Sequence, residues 1–198
     1  MKGLGKLYYQ SSSSTRFIEA VPEHVPKYPD GNKRTGHFQY AVVSLRCPDP
    51  YWKSPDTEEK PLSAFQELFE FPSDYWEEEQ YFEIGLQSEN QTLYNSGDVK
   101  APIVLTLTGP VVNPRITNLT TGKVIQVDIE LGPEDVLVID TEKGTLMKNG
   151  DEDVFHKMHW DTELWSLEVG DNHIQYDSDV GVDDSTLTVE WHRKYNTV

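Results

Sequence analysis
Along residues 103–108 the side chains alternate, with Ile103, Leu105 and Leu107 in one phase and Val104, Thr106 and Thr108 in the other. A period of two puts successive side chains on opposite faces of an extended chain, so this stretch predicts a strand with one face in a core. Gly109-Pro110 ends it, because proline has no N–H to give to a ladder. Asn95-Ser96-Gly97 and Thr120-Thr121-Gly122 mark turns on either side. Shorter runs at residues 6–10, 15–21, 37–45, 67–71 and 81–86 predict further strands, and residues 62–68, next to Pro61, predict one helical turn. Residues 123–130 alternate Val127 and Ile129 with Asp128 and Glu130, which suits an outer strand. Val136-Leu137-Val138-Ile139 is apolar on both faces and predicts a strand in mid-core. Leu146-Met147-Lys148 and Val154-Phe155-His156 flank Asn149-Gly150, the strongest hairpin signal in the chain. Residues 164–167 and 173–176 repeat the pattern around Gly170-Asp171-Asn172, and residues 186–193 point Leu187, Val189 and Trp191 inward. The phases group Val136, Val138, Ile103, Leu105, Leu187 and Val189 into one core.

Many short strands punctuated by Gly, Pro and Asn predict an all-β fold, an antiparallel sandwich whose best match at this length is a jelly roll. Residues 1–50 hold too few strands to bury a core of their own and are expected to form a small N-terminal β annex, bounded by Cys47-Pro48-Asp49-Pro50. Residues 51–80 are expected to be a linker and the start of the jelly roll, with 53–60 charged and proline-containing. Residues 81–198 then form the β-sandwich domain.

Charge narrows the partners. The chain has 198 residues, with 17 Lys+Arg against 34 Asp+Glu and a formal charge of -17. Such a surface repels phosphate backbones and anionic lipid, so neither nucleic acid nor membrane is expected as a partner. The lone cysteine, Cys47, has no second thiol for an internal disulfide or a structural zinc site. No apolar run approaches a membrane span and the first residues lack a signal-peptide core, which predicts a soluble protein made in a reducing compartment.

Candidate chemistry is sparse. His156 and His159 are three apart in strand-like sequence with no third ligand nearby, and read as surface histidines rather than a metal site. Residues 177–184 carry the alternating Asp oxygens and central Gly181 of a calcium loop but lack its closing bidentate Glu, and read as a solvated acidic turn. Glu77-Glu78-Glu79 cannot place an acid and a base across a cleft while neighbours in a strand point to opposite faces. No nucleophile with a base and no phosphate-cradling loop stands out, so no catalytic residue, metal or cofactor is expected. Trp76, Trp160 and Trp165 are the side chains a sugar-binding surface would use, since an aromatic face stacks on a pyranose ring; the competing reading places them in the sandwich core.

Asn95-Ser96-Gly97-Asp98, Ala101-Pro102, Gly109, Pro114, Asn118 with Thr120-Thr121-Gly122, Gly132, Asp135, Ile139-Asp140-Thr141, Asn149-Gly150, Leu167 with Gly170 and Asn172, and Val189-Glu190-Trp191 with Tyr195 form an ordered series. In that order they resemble the C-terminal half of the distal tail proteins (Dit) of long-tailed siphophages. Cys47-Pro48-Asp49-Pro50-Tyr51-Trp52 is similar to the seam that precedes it, so the resemblance runs from about Phe38 onward. It implies a virion structural protein of the tail tip, made in the host cytoplasm. In that family an N-terminal domain closes a hexameric ring, and a galectin-like jelly roll projects outward as a holder of receptor-binding or baseplate proteins. Partners would be other phage tail proteins. The family's ring-forming domain is much longer than residues 1–50, so this chain is expected to be a monomer or only weakly self-associated. The alternative function is a non-catalytic carbohydrate-binding module for a cell-surface glycan, which the tryptophans favour and fold alone does not separate from the first.

Overall fold
The computed structural model describes residues 4–12, 14–28, 41–62 and 91–197. The chain divides into two compact units, Met1–Asp56 with Lys194–Val198, and Thr57–Arg193.

The first unit begins with β1 (Gly5–Gln10) and β2 (Thr15–Pro22), an antiparallel pair closed by the serine loop, where Ser14 N–H donates to Ser11 Oγ. In β2 the neighbours Phe17 and Ile18, on opposite faces, are both buried along with Ala20, while every residue of β1 is exposed. β3 (Leu45–Arg46) pairs with the end of β2, and β4 (Trp52–Lys53) joins it at Phe17. Most of the strand expected at residues 37–45 lies outside the described residues, and its described end contributes only an isolated bridge at Val42 and β3.

The second unit starts with β5 (Glu58–Pro61), a strand in the stretch expected to be a linker. Its charged side chains hide a backbone that pairs with a later strand at Glu58–Trp191 and Thr188–Pro61. Next come β6 (Gln91–Asn95), β7 (Ala101–Thr108), β8 (Val111–Val112), β9 (Arg115–Asn118), β10 (Lys123–Gln126), β11 (Glu130–Leu131), β12 (Val136–Asp140), β13 (Thr145–Lys148) and β14 (Glu152–Asp153). After a short 3-10 turn at Phe155–Lys157 come β15 (Ser166–Leu167), β16 (Gly170–Asp177) and β17 (Thr186–Trp191). Lys194–Tyr195 then forms β18, which pairs with β4 and so belongs to the first unit. The helical turn at 62–68, apart from Leu62, and the strands at 67–71 and 81–86 lie outside the described residues.

Among the described residues the second unit is all antiparallel, with a seven-stranded sheet ordered β14-β13-β12-β7-β17-β5 plus β15 on β7, a four-stranded sheet ordered β10-β9-β16-β6, and a small β11-β8 pair. β7 is the middle of the larger sheet, as its alternation predicts: Ala101, Ile103, Leu105 and Leu107 are buried and the residues between them half-buried. Leu93, Ile116, Ile125, Ile174 and Tyr176 from the smaller sheet join the same core, which makes the unit a two-sheet sandwich. β10 is an edge strand, but the outer strand expected over residues 123–130 stops at Gln126: Val127 makes only an isolated bridge to Met158, and Glu130 opens β11, which pairs with β8.

β12 is one residue out of the expected phase. Leu137 and Ile139 are buried with Ile103, Leu105, Leu187 and Val189, whereas Val136 and Val138 are half-buried. A run apolar on both faces carries no phase of its own; the pairing of Leu137 with Leu107 and Ile139 with Leu105 sets it. The β13-β14 hairpin forms, but Lys148 pairs with Glu152, so its loop is Asn149-Gly150-Asp151. Asn149 and Gly150 both take positive φ, 52° and 86°, the region these two residue types enter most easily. Phe155 and His156 leave the ladder for the 3-10 turn.

Candidate interaction surface
Of the three tryptophans proposed for a sugar platform, the two described ones do not share a surface. Trp76 lies outside the described residues. Trp165 is 2% exposed and packs in the sandwich core, so neither ring face is open to a ligand. Its period-two spacing from Leu167 is the signal that places it inward. Trp160 is 88% exposed, at the tip of a turn in which Thr162 N–H donates to the His159 carbonyl at 3.0 Å.

That turn is part of a loop laid along the outer edge of β10. Asp128 N–H donates to the Lys157 carbonyl (2.8 Å), His159 N–H to the Gln126 carbonyl (3.0 Å) and Glu163 N–H to the Val124 carbonyl (2.9 Å). Thr162 Oγ1 accepts from Gln126 N–H (3.1 Å) and donates to its carbonyl (2.8 Å). The loop therefore satisfies backbone groups that an edge strand would otherwise leave open. The His159 and Trp160 rings lie 5.7 Å apart, and His159 Nδ1 pairs with Asp161. That contact holds the Asp161 carboxyl below its ordinary value, with the positive charge of Arg115 a smaller contribution.

The histidine and aspartate motifs are engaged within the fold. His156 sits in the exposed 3-10 turn. In the loop after β16, Asp179 Oδ2 accepts from Asn113 Nδ2 (2.7 Å), and Val180 bridges Val112, with Val112 N–H donating to the Val180 carbonyl (2.9 Å). Gly181 has φ +85, and a Cβ there would run into the Pro110 carbonyl. Among the described residues no group of three or more His, Cys, Asp or Glu side chains is placed to hold a metal ion.

The asparagines of the turn motifs do more than mark turns. Asn95, Asn118 and Asn172 are all completely buried; the Asn95 and Asn172 amides donate to backbone carbonyls, and Asn118 Nδ2 donates to Asn172 Oδ1 at 3.4 Å. Asn95 Oδ1 accepts from Gly97 N–H (3.0 Å), Asn118 Oδ1 from Thr120 N–H (3.0 Å), and Asn172 Oδ1 from Glu168 N–H (2.8 Å). Asp135 clamps another corner. Its Oδ2 accepts from Gly132 N–H (2.8 Å) and pairs with Lys148 (2.9 Å), while Oδ1 accepts from Asn149 Nδ2 (2.9 Å). Led by the Asn149 hydrogen bond, these lower its pKa to about 2.

In the first unit the charged side chains hold the sheet. Asp49, in the proline-rich segment before β4, takes Lys194 of β18 at 2.8 Å and Lys53 of β4 at 3.5 Å, with both lysines buried. Burial pushes the Asp49 carboxyl up, but Lys194, Tyr51 N–H and Lys53 outweigh it, so the net shift is downward. Arg16 lies 3.9 Å over the Tyr195 ring and donates to the Thr197 carbonyl.

The family model described as the C-terminal domain of the siphovirus-type tail component (SPP1 Dit) matches residues 96–195, which run from the turn after β6 to β18. The chain belongs to this family. The Dit motifs of the sequence thus fall on the sandwich and its clamped turns. Two solved structures share the fold. One is the SPP1 Dit (gp 19.1) protein, described as a paradigm of the hub adsorption apparatus in phages infecting Gram-positive hosts, with a TM-score of 0.66 and 10% identity over 98% of this chain and 66% of that one. The other is a chain of the phage p2 baseplate in its activated conformation with Sr, with a TM-score of 0.54 and 10% identity over 100% of this chain and 70% of that one. At this identity the likeness speaks for the fold. This chain spans about two thirds of the length of the SPP1 protein. No curated protein matches the sequence.

Proposed function
We propose that this Dit-family tail component acts at the distal tip of the tail as a hub or adaptor, holding receptor-binding or other baseplate proteins. The family match over residues 96–195 carries this reading. The architecture supports it. A sandwich whose turns are pinned by buried asparagines and by Asp135 is a rigid frame, and rigid frames present binding loops at low ordering cost. No chemistry is assigned to the chain; its work is to position other proteins. The carbohydrate-binding alternative retains Trp160 as its one described surface tryptophan.

Gold-labelled antibodies against the chain, applied to purified virions of the phage that encodes it, test the location. Label confined to the tail tip is the expected outcome. Label on the capsid or along the tail tube would overturn the proposal.

A further inference from the structure
The Asn149-Gly150 pair in the β13-β14 turn carries chemistry that the fold does not use. In an open chain an asparagine followed by glycine loses its amide spontaneously, because no Cβ shields the glycine nitrogen as it closes on the asparagine side chain. The Gly150 N–H gives its proton to solvent base, the nitrogen bonds to Asn149 Cγ, and the Cγ–Nδ2 bond breaks as ammonia leaves. Water then adds to either carbonyl of the five-membered ring, leaving aspartate or isoaspartate at 149. Water is the only co-reactant, and nothing is oxidised or reduced. Both residues are exposed, and nothing lies within 4 Å of the place a Gly150 Cβ would occupy, so neither burial nor crowding protects the pair.

Conformation does. The ring requires the Gly150 nitrogen to lie on the same side of the Asn149 Cα–C bond as Cβ. At φ 52° Asn149 is left-handed, which for any residue but glycine fixes ψ at about +30 to +60°. There Cβ crowds its own carbonyl oxygen, and the nitrogen on the far side of that carbonyl is turned away. The side chain is tied as well. Asn149 Oδ1 accepts from Val136 N–H and Nδ2 donates to Asp135 Oδ1, both at 2.9 Å, while Asn149 N–H donates to the Val136 carbonyl at 2.8 Å. Asp135 is itself held through Oδ2 by Gly132 N–H and Lys148. Cγ therefore reaches the Gly150 nitrogen only after the turn leaves the left-handed region and the amide lets go of residues 135 and 136.

We propose that Asn149 is a deamidation site latched by Asp135, silent in the closed sandwich and converted when this corner opens. The conversion does not reverse. Aspartate at 149 puts a carboxylate oxygen against Asp135 Oδ1, where an N–H now donates, and isoaspartate adds a backbone atom to the turn. Either product keeps the latch from closing, so a passing opening becomes a lasting change in the chain.

The test incubates the full chain at neutral pH and follows the peptide carrying residue 149 by mass spectrometry, with isoaspartate read by enzymatic methylation. The same chain unfolded in guanidinium chloride gives the rate of the open Asn-Gly pair. The folded chain should convert Asn149 at least roughly tenfold more slowly, the factor set by a hydrogen bond to a charged group. Asp135→Ala should recover most of that difference, with circular dichroism checking that the variant is folded. Asp135→Asn, which sets a side-chain N–H₂ against Gly132 N–H or Asn149 Nδ2, should fall between the two, and it carries the test where Asp135→Ala does not fold. Equal rates in the folded and unfolded chain overturn the lock. A folded Asp135 variant that converts as slowly as the parent overturns the role of Asp135 as its latch.

Discussion

In the second unit β6, β7, β9, β10, β12, β13, β15, β16 and β17 each send a fully buried apolar side chain into one core. In the first unit the buried apolar side chains among the described residues are Phe17, Ile18 and Ala20, and Leu7, Tyr8 and Tyr9 of β1 are exposed. Its sheet is closed instead by Asp49 gripping Lys53 and Lys194 and by Arg16 over Tyr195. Apolar burial is spread over area, at ~1.5–3 kcal/mol for each large side chain, and is indifferent to pH. A few partly buried ion pairs concentrate stability in single atoms, and losing one partner leaves the other charge buried and uncompensated. The second unit should therefore survive surface changes and fail through its core, and the first should fail through one or two charged contacts.

The harshest way to break this contrast is to remove residues 194–198. Hydrogen exchange should then show Phe17 to Ala20 losing their protection while Ile103 to Leu107 keep theirs. Equal protection in both units would show that the first stands without β18. Within the second unit, Leu105→Ala on the central strand should cost about 2–5 kcal/mol through lost burial and the cavity left behind, read from the urea midpoint. A loss below about 1 kcal/mol would mean that the core around β7 can collapse to fill the gap.

Asp49→Ala should destabilise the first unit by about 2 kcal/mol, the size of a charge-assisted hydrogen bond, and leave the core of the second unit protected. Because the folded pKa of Asp49 is depressed, its contribution is present near neutral pH and fades as pH falls through that folded value; Asp49→Asn should flatten this dependence. The smallest effect belongs to Asp135. Its carboxyl is lowered from 3.8 to about 2, so its clamp contributes fully above about pH 4 and is lost as pH falls toward 2. A carboxyl NMR titration checks it, and a midpoint near 3.8 would show that the clamp does not form in solution.

Much of the second unit was legible in the sequence because its strands alternate. β7 and β17 announce both their existence and their buried faces, and the β13-β14 turn is set by Asn149-Gly150. Phase failed at β12, where four apolar residues in a row leave the choice of face to the neighbouring strands. β5 was hidden because Glu58-Glu59-Lys60 reads as solvated chain; its place in the sheet comes from backbone pairing with β17, which composition does not report. The turn asparagines were legible as turns but not as buried groups, since that depends on which strand ends lie over them. Of the surface candidates, Trp160 was named without any sign of how it is held, because the β10 edge that holds it is remote in sequence. The Asp49–Lys194 contact was out of reach altogether: it joins residues 145 apart, and charged side chains read as surface.

The return of β18 to β4 also sets an order of events during synthesis. The first unit is encoded in two pieces, with residues 57–193 between them. At ~5–20 residues per second a ribosome needs on the order of ten seconds to cross that interval. Through most of it β1 to β4 lack the strand that completes their sheet, and the sandwich still lacks β17, the strand between β7 and β5, which is made just before β18. Both units therefore wait for one stretch, residues 186–195, which supplies β17 to the sandwich and β18 to the first sheet.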